Sequence, residues 1–190
     1  EVASSDYEGG YWPGRYHWNF REGHGRGLWA SHNRSMMWVR GRFIFIVDNF
    51  TRSPESVPET EKPFAEFNWQ FEAGPIQCDA AGRRAWTGYP DRNLLMLFPY
   101  GSEGWTMSVA EGSRDPWRGW LPGPNGYLAA PQLTLTRAPM EETWFNFVTV
   151  LVPFEGGTPP SIRTAITEYA STRRFWTLRL DWADGTRDEV

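Results

Sequence analysis

The chain has 190 residues, with 19 Lys and Arg against 23 Asp and Glu for a net charge of −4. It therefore fits one domain and offers no overall basic surface for nucleic acid. The single cysteine, Cys78, excludes an intrachain disulfide and a cysteine-built zinc cluster, but does not fix the compartment. No apolar run approaches the roughly 20 residues of a membrane span, and the first residues do not read as a signal peptide. Because it begins with Glu1 and not Met, the sequence reads as a processed or excised product.

Aromatic content is the outlier: 12 Trp, 12 Phe and 7 Tyr, punctuated by 15 Pro and 19 Gly. That mixture suits many strands separated by turns. It also suits a protein that handles sugars, whose C–H faces stack on indole rings. The plainer alternative is that Trp fills the space between two large sheets.

In chain order, residues 1–30 are rich in Gly and aromatics without a sustained period, and read as irregular coil holding at most one strand. The next stretch, "SHNRSMMWVRGRFIFIVDNF" at 31–50, is two apolar runs joined at Arg40-Gly41-Arg42. Alternation puts Phe43, Phe45 and Val47 on one face and Ile44 and Ile46 on the other, which predicts a central strand covered on both sides. Residues 52–63 read as a loop. "EFNWQFE" then alternates, with Phe67, Trp69 and Phe71 inward and Asn68, Gln70 and Glu72 outward. "NLLMLF", "YLAAPQLTLT" and "TWFNFVTVLV" continue the strand series, interrupted at 112–126 by a second Pro- and Gly-rich excursion. "SIRTAITEYAST" has a weak helical pattern, but its Thr and Ile favour strand at least equally. Near the end, "RFWTLRLDW" and "TRDEV" are joined by Ala183-Asp184-Gly185. Asp-Gly signals a hairpin, and Trp176, Leu178, Leu180 and Trp182 share one face. The pattern predicts a single all-β domain over 1–190: a large antiparallel β-sandwich of about ten to thirteen strands with little helix.

Chemistry-bearing residues are sparse. His17, His24 and His32 match no standard metal spacing. Cys78 has no histidine near it in sequence and reads as a buried or incidental thiol. "GHGRG" at 23–27 lacks the Lys-Ser/Thr ending and preceding strand of a phosphate loop. The acid pairs Glu141-Glu142 and Asp188-Glu189 read as solvated turn or terminal residues. Asn33-Arg34-Ser35 and Asn49-Phe50-Thr51 fit the glycosylation pattern, at a frequency chance supplies. The His-x-Arg triplet is more specific: His32 and Arg34 lie on one strand face with Asn33 opposite. Such a pair fits an anionic sugar or a carboxylate to be neutralised, and equally fits pinning the strand to an acidic loop. The pattern leaves both open.

The order of these segments resembles the heparinase II/III-like polysaccharide lyases. The resemblance rests on "SHNRSMMWVRGRFIFIVDNF", "FNWQFEAG", "NLLMLFP", "DPWRGWLPGPNGYLAAPQLTLT", "FNFVTVLVP" and "DGTRDEV", in that order over residues 5–190. It implies the C-terminal β-sandwich portion of a larger enzyme whose (α/α) toroid is missing here, and an acidic, uronate-containing polysaccharide such as a glycosaminoglycan or alginate. It further implies β-elimination by a bacterial protein, secreted to the periplasm or outside the cell. In that reaction a base removes the proton beside the carboxylate, a donor stabilises the enolate and an acid protonates the leaving oxygen. The base and acid are usually a Tyr and His of the toroid, with zinc in some full-length members. The family's His-x-His, Asp-Pro-Gly and His-Asn-Thr metal stretch has no counterpart here, so neither a catalytic residue, a metal ligand nor a cofactor is assigned to this chain, and no activity is expected from it alone. Substrate contacts, if the sugar reaches this portion, fall on Tyr11, Tyr16, His32 and Arg34, or on Trp117 and Trp120 in the excursion. The alternatives are an autonomous carbohydrate-binding module and a scaffold sandwich.

Overall fold

The computed structural model describes residues 2–11, 28–52, 65–137, 144–169 and 175–190. Side chains are described from His32 onward, with further gaps at 52 and 167–176. Seventeen strands and no helix occupy the described residues. The first seven are β1 (Val2–Tyr11), β2 (Leu28–Val39), β3 (Phe43–Arg52), β4 (Ala65–Gln70), β5 (Ile76–Asp79), β6 (Arg84–Thr87) and β7 (Arg92–Tyr100). Five short ones follow: β8 (Thr106–Ala110), β9 (Ser113–Arg114), β10 (Trp117–Arg118), β11 (Trp120–Gly123) and β12 (Gly126–Ala129). The last are β13 (Gln132–Arg137), β14 (Trp144–Glu155), β15 (Ile162–Tyr169), β16 (Phe175–Trp182) and β17 (Arg187–Glu189). The excess over the expected thirteen comes from β9–β12, where the 112–126 excursion folds into two small hairpins.

A seven-stranded antiparallel sheet, β1-β2-β3-β14-β7-β6-β5, forms the centre. The three-stranded sheet β4-β13-β8 covers one face and β15-β16-β17 the other. The layering follows from strands that are apolar on both sides. On β3, Phe43, Phe45 and Val47 join Leu95, Leu97, Val148, Val150, Leu178 and Leu180 in one core. On the opposite face, Met96, Phe98 and Phe147 pack with Phe67, Leu133, Leu135 and Trp105. Each fully buried side chain of this kind stabilises the fold by about 1.5–3 kcal/mol relative to exposure, so the two cores together are the principal driving force.

Several sequence expectations meet their structural outcome here. Phe67 is buried and Trp69 and Phe71 pack beside it, as the alternation in "EFNWQFE" predicts. The ambiguous 161–172 segment is strand from Ile162 to Tyr169. Residues 2–11, read as coil with at most one strand, pair along their whole length with β2. The Asp-Gly signal is a turn: Gly185 has φ of 85° and its N–H donates to the Trp182 carbonyl. Asp188, by contrast, is not a solvated terminal acid. Its carboxylate accepts from Trp182 Nε1 at 2.6 Å and pairs with Arg42 at 3.0 Å, tying the final hairpin to the β2–β3 turn. Glu141-Glu142 and the Trp176 side chain lie outside the described residues, as does most of the 52–63 loop. Both sequons sit within strands β2 and β3.

Candidate functional site

His32 and Arg34 converge on one residue, Asp48. The β2–β3 hairpin turns at Gly41, which has φ of 75°, and its register sets Arg34 opposite Asp48 and His32 opposite Phe50. Arg34 Nε donates to Asp48 Oδ1 at 2.6 Å and Nη2 to Oδ2 at 3.1 Å, a bidentate grip. His32 Nε2 lies 2.6 Å from the same Oδ1. Asp48 is fully buried, whereas the His32 and Arg34 side chains keep 21% and 34% exposure. The carboxylate thus exchanges water for two charge-capable donors, the arrangement a buried charge requires.

Aromatic rings frame this cluster. The His32 imidazole stacks on Phe50 at 4.1 Å and 11°, and Phe50 stacks on Phe145 of β14 at 4.8 Å. Phe67 of β4 meets Phe50 edge-on at 5.2 Å. The Arg34 guanidinium sits 5.7 Å from the Trp69 ring centroid, a cation–π contact from the covering sheet. Both candidate residues are therefore held on several sides, and the carboxylate they meet comes from the facing strand of the same hairpin, not from an acidic loop.

Trp117 and Trp120 form a separate cluster. The outer face of β4-β13-β8 is polar: Asn68 Oδ1 accepts from Gln132 Nε2 and Thr134 Oγ1, each at 2.8 Å. Over this face the β9–β12 hairpins fold back. Arg118 pairs with Glu66, and the Gly119 N–H donates to Gln132 Oε1 at 3.2 Å. The Gly119 carbonyl accepts from both Gly112 and Ala130, at 2.8 and 2.9 Å. Only glycine fits there: φ is +73°, and a Cβ would stand 2.4 Å from the Ala110 carbonyl oxygen. On this base Trp120 donates Nε1–H to the Ser113 carbonyl at 2.7 Å, Trp117 stacks on Trp120 at 5.0 Å and 18°, and Tyr127 meets Trp117 edge-on at 5.5 Å. Trp117 is 57% and Tyr127 62% exposed.

The two clusters lie on opposite faces of β4, since Trp69 turns toward Arg34 while Glu66 turns toward Arg118. Among the described residues, the predicted ones fall into two separate clusters and not one site. Tyr11 ends β1 opposite Leu28, but its side chain, together with Tyr16, His17, His24 and the 23–27 stretch, lies outside the described residues. Cys78, read as a buried or incidental thiol, is exposed on β5. Among the described residues no three His, Cys, Asp or Glu side chains gather as a metal-binding group, and no helix is long and apolar enough to cross a membrane. Asp48 and Tyr127 were missed from sequence, although each carried a signal: Asp48 through the hairpin register, and Tyr127 through the Pro124-Asn125 turn before it.

Neither a family sequence model nor a curated protein sequence matches the chain. Solved structures do. Heparan sulfate lyase HepC from Pedobacter heparinus matches with a TM-score of 0.63 at 18% identity, over 97% of this chain and 27% of that one. A mutant of HepC gives 0.64 over the same shares. A heparinase III structure with methylated lysines gives 0.64 at 16% identity, over 85% of this chain and 23% of that one. The resemblance read from the order of segments is thus borne out as a shared fold with heparinase-type lyases. The chain spans about a quarter of the length of these structures.

Proposed function

We propose that this chain is the C-terminal β-sandwich portion of a heparinase II/III-like polysaccharide lyase. It supports β-elimination of uronate-containing polysaccharides together with an (α/α) toroid supplied by sequence beyond these 190 residues or by a second chain. The observation that carries the proposal is the fold likeness to HepC over 97% of this chain and 27% of that one. A periplasmic or extracellular location goes with this reading, where such polymers would be met.

Within this reading His32, Arg34 and Asp48 are positioning residues. Elimination needs a base at the proton beside the uronate carboxylate and an acid at the leaving oxygen. His32 Nε2 and both Asp48 oxygens are engaged with one another and with Arg34, so the cluster braces the β2–β3 hairpin while the proton transfers belong to the toroid. Zinc does not fit the described residues: His32 is the one histidine among them, and no third ligand joins it and Asp48. A second reading, an autonomous carbohydrate-binding module, is favoured by the exposed Trp117 and Tyr127 rings.

The test is to express the gene with its upstream sequence and follow the absorbance of unsaturated uronates on heparan sulfate and on alginate. Activity is expected from the longer product and none from the 190-residue chain. Cleavage by the short chain alone, or no cleavage by the longer product, would refute the proposal.

A further inference from the structure

We propose that the β9–β12 hairpins form a binding platform for an acidic sugar, with Trp117 and Tyr127 supplying the stacking surfaces and Arg114 the anion contact. The choice of an acidic glycan over a neutral one deepens the lyase reading and rests on it in part; the platform itself rests on its own geometry.

The first argument is exposure. Trp117 and Tyr127 are each more than half exposed, and large aromatic side chains left together in water mark a contact surface. Geometry supplies the second. Trp120 is fixed by its indole hydrogen bond and carries Trp117 parallel to it, while Tyr127 stands at 81° to Trp117. The result is an angled shelf whose two walls suit the flat C–H face of one pyranose and the edge of the next. The third argument is preorganisation: Arg118 on Glu66 and the hydrogen bonds at Gly119 hold the hairpins against β4 and β13, so little ordering cost remains to be met on binding.

Charge selects the ligand. Arg114 is the register partner of Trp117 in the β9–β10 pair. Its side chain is exposed and forms neither an ion pair nor a hydrogen bond with any other described residue. A solvent-facing guanidinium beside an indole can grip a carboxylate or sulfate in bidentate fashion while the ring takes the sugar face. Arg118, the neighbouring cation, is already neutralised by Glu66, which leaves Arg114 to provide the specificity.

Calorimetry on the 190-residue chain tests this with a heparan sulfate hexasaccharide, an alginate hexamer and neutral cellohexaose. Binding to at least one acidic oligosaccharide is expected, weakening with salt. Trp117→Ala and Tyr127→Ala should each weaken it by about tenfold or more, with unchanged circular dichroism verifying the fold. Arg114→Gln should weaken the acidic ligands by about fivefold and leave cellohexaose unaffected. No binding to any of the three, or variants that bind like the parent, would overturn the platform and leave the hairpins as a protein contact. Equal binding of neutral and acidic sugars with Arg114→Gln silent would overturn the acidic assignment. Lyase activity of the longer gene product is read separately, so a bare platform on an active lyase, or a binding platform on an inactive one, identifies which reading failed.

Discussion

The β2–β3 hairpin and the β9–β12 hairpins invert the usual distribution of residue types. In the first, a carboxylate, a guanidinium and an imidazole are drawn against the central sheet and satisfy one another. In the second, an indole and a phenol stand largely in water against a second, half-buried indole. Residues that look reactive in the sequence are structurally committed, and residues that look like core filling are available to a ligand. Availability depends on whether the local geometry has already supplied a partner, not on residue type.

Substitutions can break this contrast, and the largest effect should come from Asp48→Ala. It strands Arg34 and His32 beside aromatic rings and should cost about 3 kcal/mol, the low end for a broken buried pair because both side chains keep some solvent. A lower urea midpoint with an unchanged slope is the expected readout, with oligosaccharide binding retained after correction for folded fraction. Gly119→Ala comes next. A left-handed backbone costs a β-carbon about 1–2 kcal/mol, and the clash with the Ala110 carbonyl adds to it. Thermal denaturation should register the loss, and calorimetry a greater loss of sugar binding.

Acid should act more gently, through the final hairpin. Hydrogen bonding by Arg187 holds the Asp181 carboxyl below its ordinary value of 3.8, and Thr186 does the same for Asp184. Groups whose folded-state pKa is depressed contribute stability that is complete above the unfolded value and is lost as pH falls through the folded one. The melting temperature should therefore hold down to about pH 5 and decline below 3.8. Asp181→Asn and Asp184→Asn together should reduce that decline, the remainder coming from Asp79, which the Gly82 N–H and Arg84 hold below its ordinary value. The smallest stability effect belongs to Trp117→Ala, within about 0.5 kcal/mol of the parent in urea denaturation, despite its loss of sugar binding. A larger destabilisation would mean that the ring serves the fold, and the contrast with Asp48 would collapse.

The layered fold was legible because buried strands announce themselves on both faces. "FIFIVDNF" and "TWFNFVTVLV" carry large apolar groups at consecutive positions, and only a central strand can bury both sets. The small hairpins were not legible as strands, since two- and four-residue elements rich in Pro and Gly have too few side chains to show a period. Trp117 and Trp120 were singled out, but their stacking, and Tyr127 beside them, depend on a chain reversal at Pro124-Asn125 that pairs Gly123 with Gly126. The partner of His32 and Arg34 lay in the quoted stretch throughout. Arg34 and Asp48 are equidistant from Gly41 along the chain, so a turn centred on that glycine brings them face to face. The aromatic stack over the imidazole could not be read so directly, because Phe145 arrives from a strand distant in sequence.

The pairing at Asp48 also bears on how the chain avoids folding out of step. Side chains alternate along a strand, so shifting β2 by a single position would swing Arg34 and His32 to the opposite layer and replace them with Asn33 and Ser35. The carboxylate would then be sealed among Phe147 and its neighbours without a counter-charge. An apolar residue at 48 would tolerate such slippage; an acid there penalises it, and so acts as a lock on alignment that a purely greasy hairpin lacks.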